Sequence, residues 1–110
     1  MKKFLFILSC LLLQNLSAKD YIHQVFILNE GYFDYGLNQI IEPVTIGVYD
    51  PFNQTYTTID TIEGARFASD LVISDDYFYV AADNKLFKYD KNSYDLLSTQ
   101  NIDGIRNIAV

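Results

Sequence analysis

Two arginines, Arg66 and Arg106, stand forty residues apart in matching surroundings, Glu63-Gly64-Ala65-Arg66 and Asp103-Gly104-Ile105-Arg106. A guanidinium is a planar fork of donors that matches a carboxylate or a phosphate. Brought to one surface, the two could hold an anionic ligand. The competing arrangement is structural, with each arginine bridged to a nearby carboxylate such as Glu63 or Asp103. Exposed pairs of that kind are common and contribute little. A second group lies in Asn29–Pro43, where Glu30, Tyr32, Phe33, Asp34 and Tyr35 set aromatic rings beside carboxylates. Such a mixture suits a glycan or a protein partner, and the alternative is a loop packed on its own side chains. The turn Asp83-Asn84 adds one more carboxylate. Arg66, Arg106, Glu30, Tyr32 and Asp83 are therefore the candidate ligand-binding residues.

Other chemistry finds little footing. His23 is the single histidine, and a zinc site needs about three or four converging ligands. Asp75-Asp76 reads as a solvated turn pair. Glycine-rich phosphate loops, nucleophile elbows and paired-cysteine metal motifs do not occur. No residue is assigned a catalytic or metal-binding role, and no cofactor is called for.

Strands must position these residues. Tyr77–Ala82 is aromatic and apolar, the composition of a pleated, half-buried surface. Asp83-Asn84 follows, two residues that tolerate the positive φ of a tight hairpin turn. Lys85–Asp90 is the next strand, with Lys85 and Lys88 reaching water. Asp90–Ser93 turns into a strand over Tyr94–Ile102. Earlier in the chain, Tyr21–Leu28, Val44–Asp50, Thr55–Ile62 and Ala68–Ser74 also read as strands. Asp50-Pro51-Phe52-Asn53-Gln54 is a turn: Pro51 presets φ, and Asp50 can accept backbone hydrogen bonds. Asn29–Pro43 is long for a hairpin connection and reads as a functional or disordered loop. Ile108–Val110 looks like the start of another strand. Helical periodicity is not sustained anywhere after the first eighteen residues, so the fold is all-β: a sandwich, barrel or propeller.

The forty-residue offset decides among these. It carries Tyr49-Asp50 onto Tyr89-Asp90, Ile62 onto Ile102, Glu63-Gly64 onto Asp103-Gly104 and Arg66 onto Arg106, without a gap. A period of about 40–45 residues with four strands is that of a propeller blade. On the segments VFILNEGYF, VYDPFNQTY and DDYFYVAADNKLFKYDKNSYDLL, the chain resembles the secreted YncE-like β-propellers of Gram-negative bacteria, the surface-layer or YVTN-type repeat proteins. A YVTN tetrapeptide is not present, and Tyr79-Val80-Ala81-Ala82 occupies the comparable strand.

The expected fold is thus a β-propeller fragment of about two four-stranded antiparallel blades. Ala68–Ser74, Tyr77–Ala82, Lys85–Asp90 and Tyr94–Ile102 make a complete second blade. Tyr21–Leu28, Val44–Asp50 and Thr55–Ile62 make a first blade without its innermost strand. Propellers have about 4–8 blades, so residues 19–110 are expected to be the N-terminal part of a truncated domain, the remaining blades coming from a missing C-terminus. In that geometry Asn29–Pro43, Asp83-Asn84, Glu63–Phe67 and Asp103–Asn107 gather around one channel mouth. The expected function is an exported binding or interaction module whose loops take a small molecule, a glycan or a protein. The alternative is a propeller enzyme, similar to lyases or quinoprotein dehydrogenases, with most catalytic residues in other blades.

The N-terminus supplies the destination. Lys2-Lys3, the apolar run Phe4–Leu13 and Leu16-Ser17-Ala18 make a signal peptide over residues 1–18, cleaved after Ala18. The run is too short for a spanning helix, which needs about 20 residues. Ile7-Leu8-Ser9-Cys10 resembles a lipobox, but it leaves too short an apolar region ahead of Cys10, so lipidation there is the weaker reading. Residues 19–110 then carry no cysteine and no membrane span, with six basic residues against fourteen acidic ones. A chain so acidic lacks the basic patch that nucleic acid requires. The expected location is the periplasm or the outer cell surface.

Overall fold

The computed structural model describes residues 23–110, and the signal-peptide assignment, Cys10 and Tyr21-Ile22 lie outside the described residues. The described chain is all-β and antiparallel throughout. Nine strands form in order: β1 Val25–Asn29, β2 Tyr32–Asp34, β3 Gln39–Glu42, β4 Val44–Asp50, β5 Thr55–Ile62, β6 Ala68–Ser74, β7 Tyr77–Ala82, β8 Lys85–Asp90 and β9 Leu96–Asn101. They build a three-stranded sheet in the order β1-β4-β5, a two-stranded hairpin β2-β3 and a four-stranded meander β6-β7-β8-β9. Among the described residues no helix is long and apolar enough to cross a membrane.

Turn chemistry closes each hairpin. Asp75 and Asp83 adopt positive φ, 40° and 53°, at the first central residue of their two-residue loops, the sign that matches the twist of paired strands. The longer turns at Asp50 and Asp90 are built alike. Asp50 Oδ1 accepts the backbone N–H groups of Phe52 and Asn53 at 2.9 and 3.2 Å. Asp90 Oδ1 accepts those of Asn92 and Ser93 at 2.8 and 2.9 Å. Each turn then leaves through a residue at positive φ, Gln54 at 54° and Tyr94 at 66°. The glycines of the two connectors also correspond, Gly64 at 81° and Gly104 at 76°.

The two larger sheets pack face to face. Cross-strand register places Leu28 opposite Ile46 and Val44 opposite Ile62 on the inner face of the first sheet. Phe78 opposite Tyr89 and Val80 opposite Phe87 share the inner face of the second. These residues form one core with Ala65, Ala68 and Ala82. Its aromatic centre is Phe78, stacked on Tyr89 at 4.7 Å and 3° and tilted against Phe26 at 4.7 Å. Burying a large apolar side chain contributes about 1.5–3 kcal/mol, so this layer of rings dominates the joint. Two hydrogen bonds tie polar groups across it. The Tyr89 hydroxyl donates to Asp60 Oδ2 at 2.7 Å, and the Tyr94 hydroxyl donates to Gln24 Oε1 at 2.7 Å.

Three local expectations are corrected. Asn29–Pro43 is not an irregular loop: it holds the hairpin β2-β3, with Phe33 opposite Ile40 and a register shift after Tyr32. Asp34 Oδ1 accepts the Leu37 N–H at 3.0 Å and organises its tip, a local bond that competes well in a short turn. The last strand starts at Leu96, because Tyr94 at positive φ completes the turn. Ile108–Val110 forms no strand; the Ile108 N–H is taken by Asp70 Oδ2 at 2.8 Å. Lys88 is half-exposed on the face expected to reach water, and its Nζ lies 4.1 Å from the Tyr77 ring centroid, a cation–π contact.

Candidate functional site

The turn between β7 and β8 is the hub of one end of the molecule. Asp83 holds the connector that leads from β5 into β6. Its carboxylate accepts Arg66 Nε at 3.0 Å, Arg66 Nη2 at 2.7 Å and the Arg66 backbone N–H at 3.2 Å. The Asp83 N–H in turn donates to the Phe67 carbonyl at 3.0 Å. Asn84 holds the second connector: its backbone carbonyl accepts the Ile102 N–H at 2.8 Å, and its side-chain Oδ1 accepts the Gly104 N–H at 3.3 Å. A two-residue turn thus fixes both arginine-bearing connectors.

The forked bond governs the charges. The Arg66 guanidinium holds the Asp83 carboxyl below the usual carboxylate range, with a further contribution from the nearby Arg106 charge. Asp83 correspondingly raises Arg66. The structural role considered for Arg66 is therefore realised, but with Asp83, its own sheet's turn, and not with Glu63. Two parallel N–H···O bonds add direction that a single exposed contact lacks.

Arg106 is placed differently. Among the described residues it makes no salt bridge, and its Nη1 donates to the adjacent Ile105 carbonyl at 2.6 Å. Its guanidinium carbon lies 4.8 Å from the Phe67 ring centroid, and that of Arg66 lies 5.9 Å from the same ring. Phe67 is thus the plate on which both arginines gather. Residue order offered one sign of it, an aromatic directly after Arg66, but not that Arg106 would reach the same ring.

The hairpin β2-β3 supplies the other wall. Glu30, Gly31, Tyr32, Phe33 and Tyr35 line a concavity of about 220 Å³ with Arg66 and Phe67. Tyr32 and Tyr35 are exposed, and Phe33 packs edge-on against Tyr35 at 4.8 Å. Gly31, at φ +72°, lets the chain pass under Glu42 and Pro43; a Cβ there would lie 2.8 Å from the Pro43 carbonyl. All five candidate residues consequently sit at one end of the sheets: Glu30, Tyr32 and Arg66 in the concavity, Asp83 behind Arg66, and Arg106 over Phe67. A larger cleft of about 550 Å³ adjoins them between the connectors, edged by Asp60, Glu63, Asp83, Lys85 and Asp103; it escaped sequence reasoning because its walls come from both sheets. His23 lies before β1 and is exposed. Among the described residues no group of His, Cys, Asp or Glu is arranged to hold a metal ion.

No protein-family model, curated protein or solved structure matches the chain.

Proposed function

We propose that the two sheets are blades of an exported, YncE-like β-propeller, and that the protein is a cell-envelope binding module. Its ligand is a carboxylate-bearing glycan held at the channel mouth. The blade reading is supported by the paired turns at Asp50 and Asp90 and the paired connector glycines, which keep the same backbone geometry at a constant offset. Export is supported by the leader-like residues 1–18. The ligand reading rests on Arg106, a guanidinium stacked near Phe67 and not engaged by a carboxylate among the described residues. A sugar carboxylate would supply the planar acceptor that such a fork takes best. The exposed rings of Tyr32 and Tyr35 offer faces for sugar C–H groups.

Calorimetric titration with galacturonate oligomers tests this reading. Binding should weaken about tenfold, or ~1.4 kcal/mol, in Arg106→Ala, and neutral galactose oligomers should bind far less. Absence of uronate binding, or an unchanged affinity in Arg106→Ala, refutes it.

A further inference from the structure

At the rim of the joint each sheet ends in an edge strand, β5 on the first and β9 on the second. An edge strand carries a row of unpaired N–H and C=O groups and can take another strand beside it, unless a charge, a proline or a bulge blunts it. β5 is blunted near its centre. Ile59 falls out of register between Thr58, opposite Gly47, and Asp60, opposite Ile46, and Asp60 adds a charge. β9 is irregular only near its start, where Leu97 falls between Leu96, opposite Tyr89, and Ser98, opposite Lys88. Ser98–Asn101 is regular, exposed throughout and without charge or proline. Among the described residues β9 pairs only with β8.

Alternation along the strand settles which groups face outward. The Ile102 N–H donates to the Asn84 carbonyl at 2.8 Å, so Gln100, two residues earlier, also turns its backbone groups toward β8, while Thr99 and Asn101 turn theirs to the free edge. Thr99 stands opposite Phe87 and Asn101 opposite Lys85, so their side chains share the inward face of the sheet. That face borders the cleft of about 550 Å³, a size within the usual range of about 300–1,000 Å³ for ligand pockets. Asp60 and Glu63 border it from the first sheet and its connector, and Lys85, Leu96, Asn101 and Asp103 from the second. Asp83, also at its border, is engaged by Arg66; among the described residues Asp60, Glu63, Asp103 and Lys85 join no salt bridge. Three unbridged carboxylates thus stand against one ammonium.

We propose that β9 is a docking edge for an extended, basic segment of a partner protein. The segment pairs antiparallel with Thr99 and Asn101 as a fifth strand of the second sheet. The residues opposite these two turn their side chains to the cleft, where lysine ammonium groups meet the carboxylates of Asp60, Glu63 and Asp103. Main-chain bonds supply affinity and the cleft supplies the choice of side chain, the division of labour in strand addition. The excess of acidic over basic residues in the chain steers a cationic segment toward it. The inference rests on this rim alone, and neither on the uronate site nor on the number of sheets.

Fluorescence anisotropy of the full-length protein, purified after processing in an exporting host, tests it with a labelled peptide of alternating valine and lysine. The peptide should bind, and its valine–glutamate counterpart should not. N-methylation of the lysine amides keeps the charge and removes the ladder donors; binding should weaken about tenfold. Glu63→Gln combined with Asp103→Asn should cost about tenfold as well. Thr99→Pro removes an outward N–H, a change that an edge strand tolerates; it should weaken binding with an unchanged near-ultraviolet spectrum, and the methylated peptide decides should this variant misfold. Absence of binding, or equal binding of the methylated peptide, overturns the proposal, the latter in favour of charge attraction alone. An unchanged affinity in the carboxylate variant overturns it too. A wild-type dimer that Thr99→Pro dissolves assigns the edge to a second copy and likewise overturns it.

Discussion

Replacing Tyr89 by phenylalanine should change the alkaline stability of the protein in a way that isolates one hydroxyl. Tyr89 is 1 % exposed, and its hydroxyl donates to Asp60 at 2.7 Å. Burial, followed by that bond to a carboxylate, pushes its pKa well above the ordinary tyrosine value. At neutral pH the bond is charge-assisted and contributes about 1.5–3 kcal/mol. Asp60 is only half-buried, so water replaces the lost donor in the variant, and the lower figure, about 1.5 kcal/mol, applies. The sign of the pH effect follows from linkage. The unfolded chain releases the Tyr89 proton near pH ~10 while the folded chain keeps it. This stabilisation is complete below the unfolded pKa and is lost above it at about 1.4 kcal/mol per pH unit. The wild type should therefore be about 1.5 kcal/mol more stable than Tyr89→Phe at pH 7, and the two should converge near pH ~11. Urea unfolding between neutral pH and pH ~11.5 measures both numbers, and the difference between the two proteins cancels the other tyrosines. Parallel stability curves across that range would refute the placement of a protonated Tyr89 against Asp60.

Two further predictions concern the acid limb and the hairpin. Asp50, Asp83 and Asp90 are all held below the usual carboxylate range, Asp83 chiefly by Arg66 and the other two by hydrogen bonds from their own turns. Their stabilisation is complete above the unfolded aspartate pKa of about 3.9 and lost as pH falls through the lower folded values. The melting temperature should thus drop below pH ~4, with a shallower acid limb in Asp83→Asn than in the wild type; equal limbs would exclude the Arg66–Asp83 fork as its source. Gly31→Ala places a methyl against the Glu42 and Pro43 backbone at positive φ, a strain of about 1–3 kcal/mol. The hairpin should then lose its amide protection against hydrogen exchange while β6-β9 keeps its own. Uniform protection in both would show that the hairpin does not depend on this passage.

The amino-acid sequence by itself determined the ladder. Val44–Asp50, Thr55–Ile62, Ala68–Ser74, Tyr77–Ala82 and Lys85–Asp90 have the bounds their composition and turns indicate. The reason is local: a two-residue side-chain period and turn residues such as Asp50, Asp83 and Asp90 act over a few positions of chain. The candidate site was legible only as a set of residue types. The hairpin β2-β3 was hidden because its strands are short and its turn Asp34–Asn38 carries no paired Asn-Gly or Asp-Gly signal. The tertiary structure alone decided that Arg66 is engaged by Asp83, that Arg106 reaches Phe67, and that Tyr89 crosses to Asp60. Each of these contacts joins residues from seventeen to thirty-nine positions apart. Their meeting depends on which face of one sheet is buried against the other, and a strand's alternation names two faces without saying which partner each will meet.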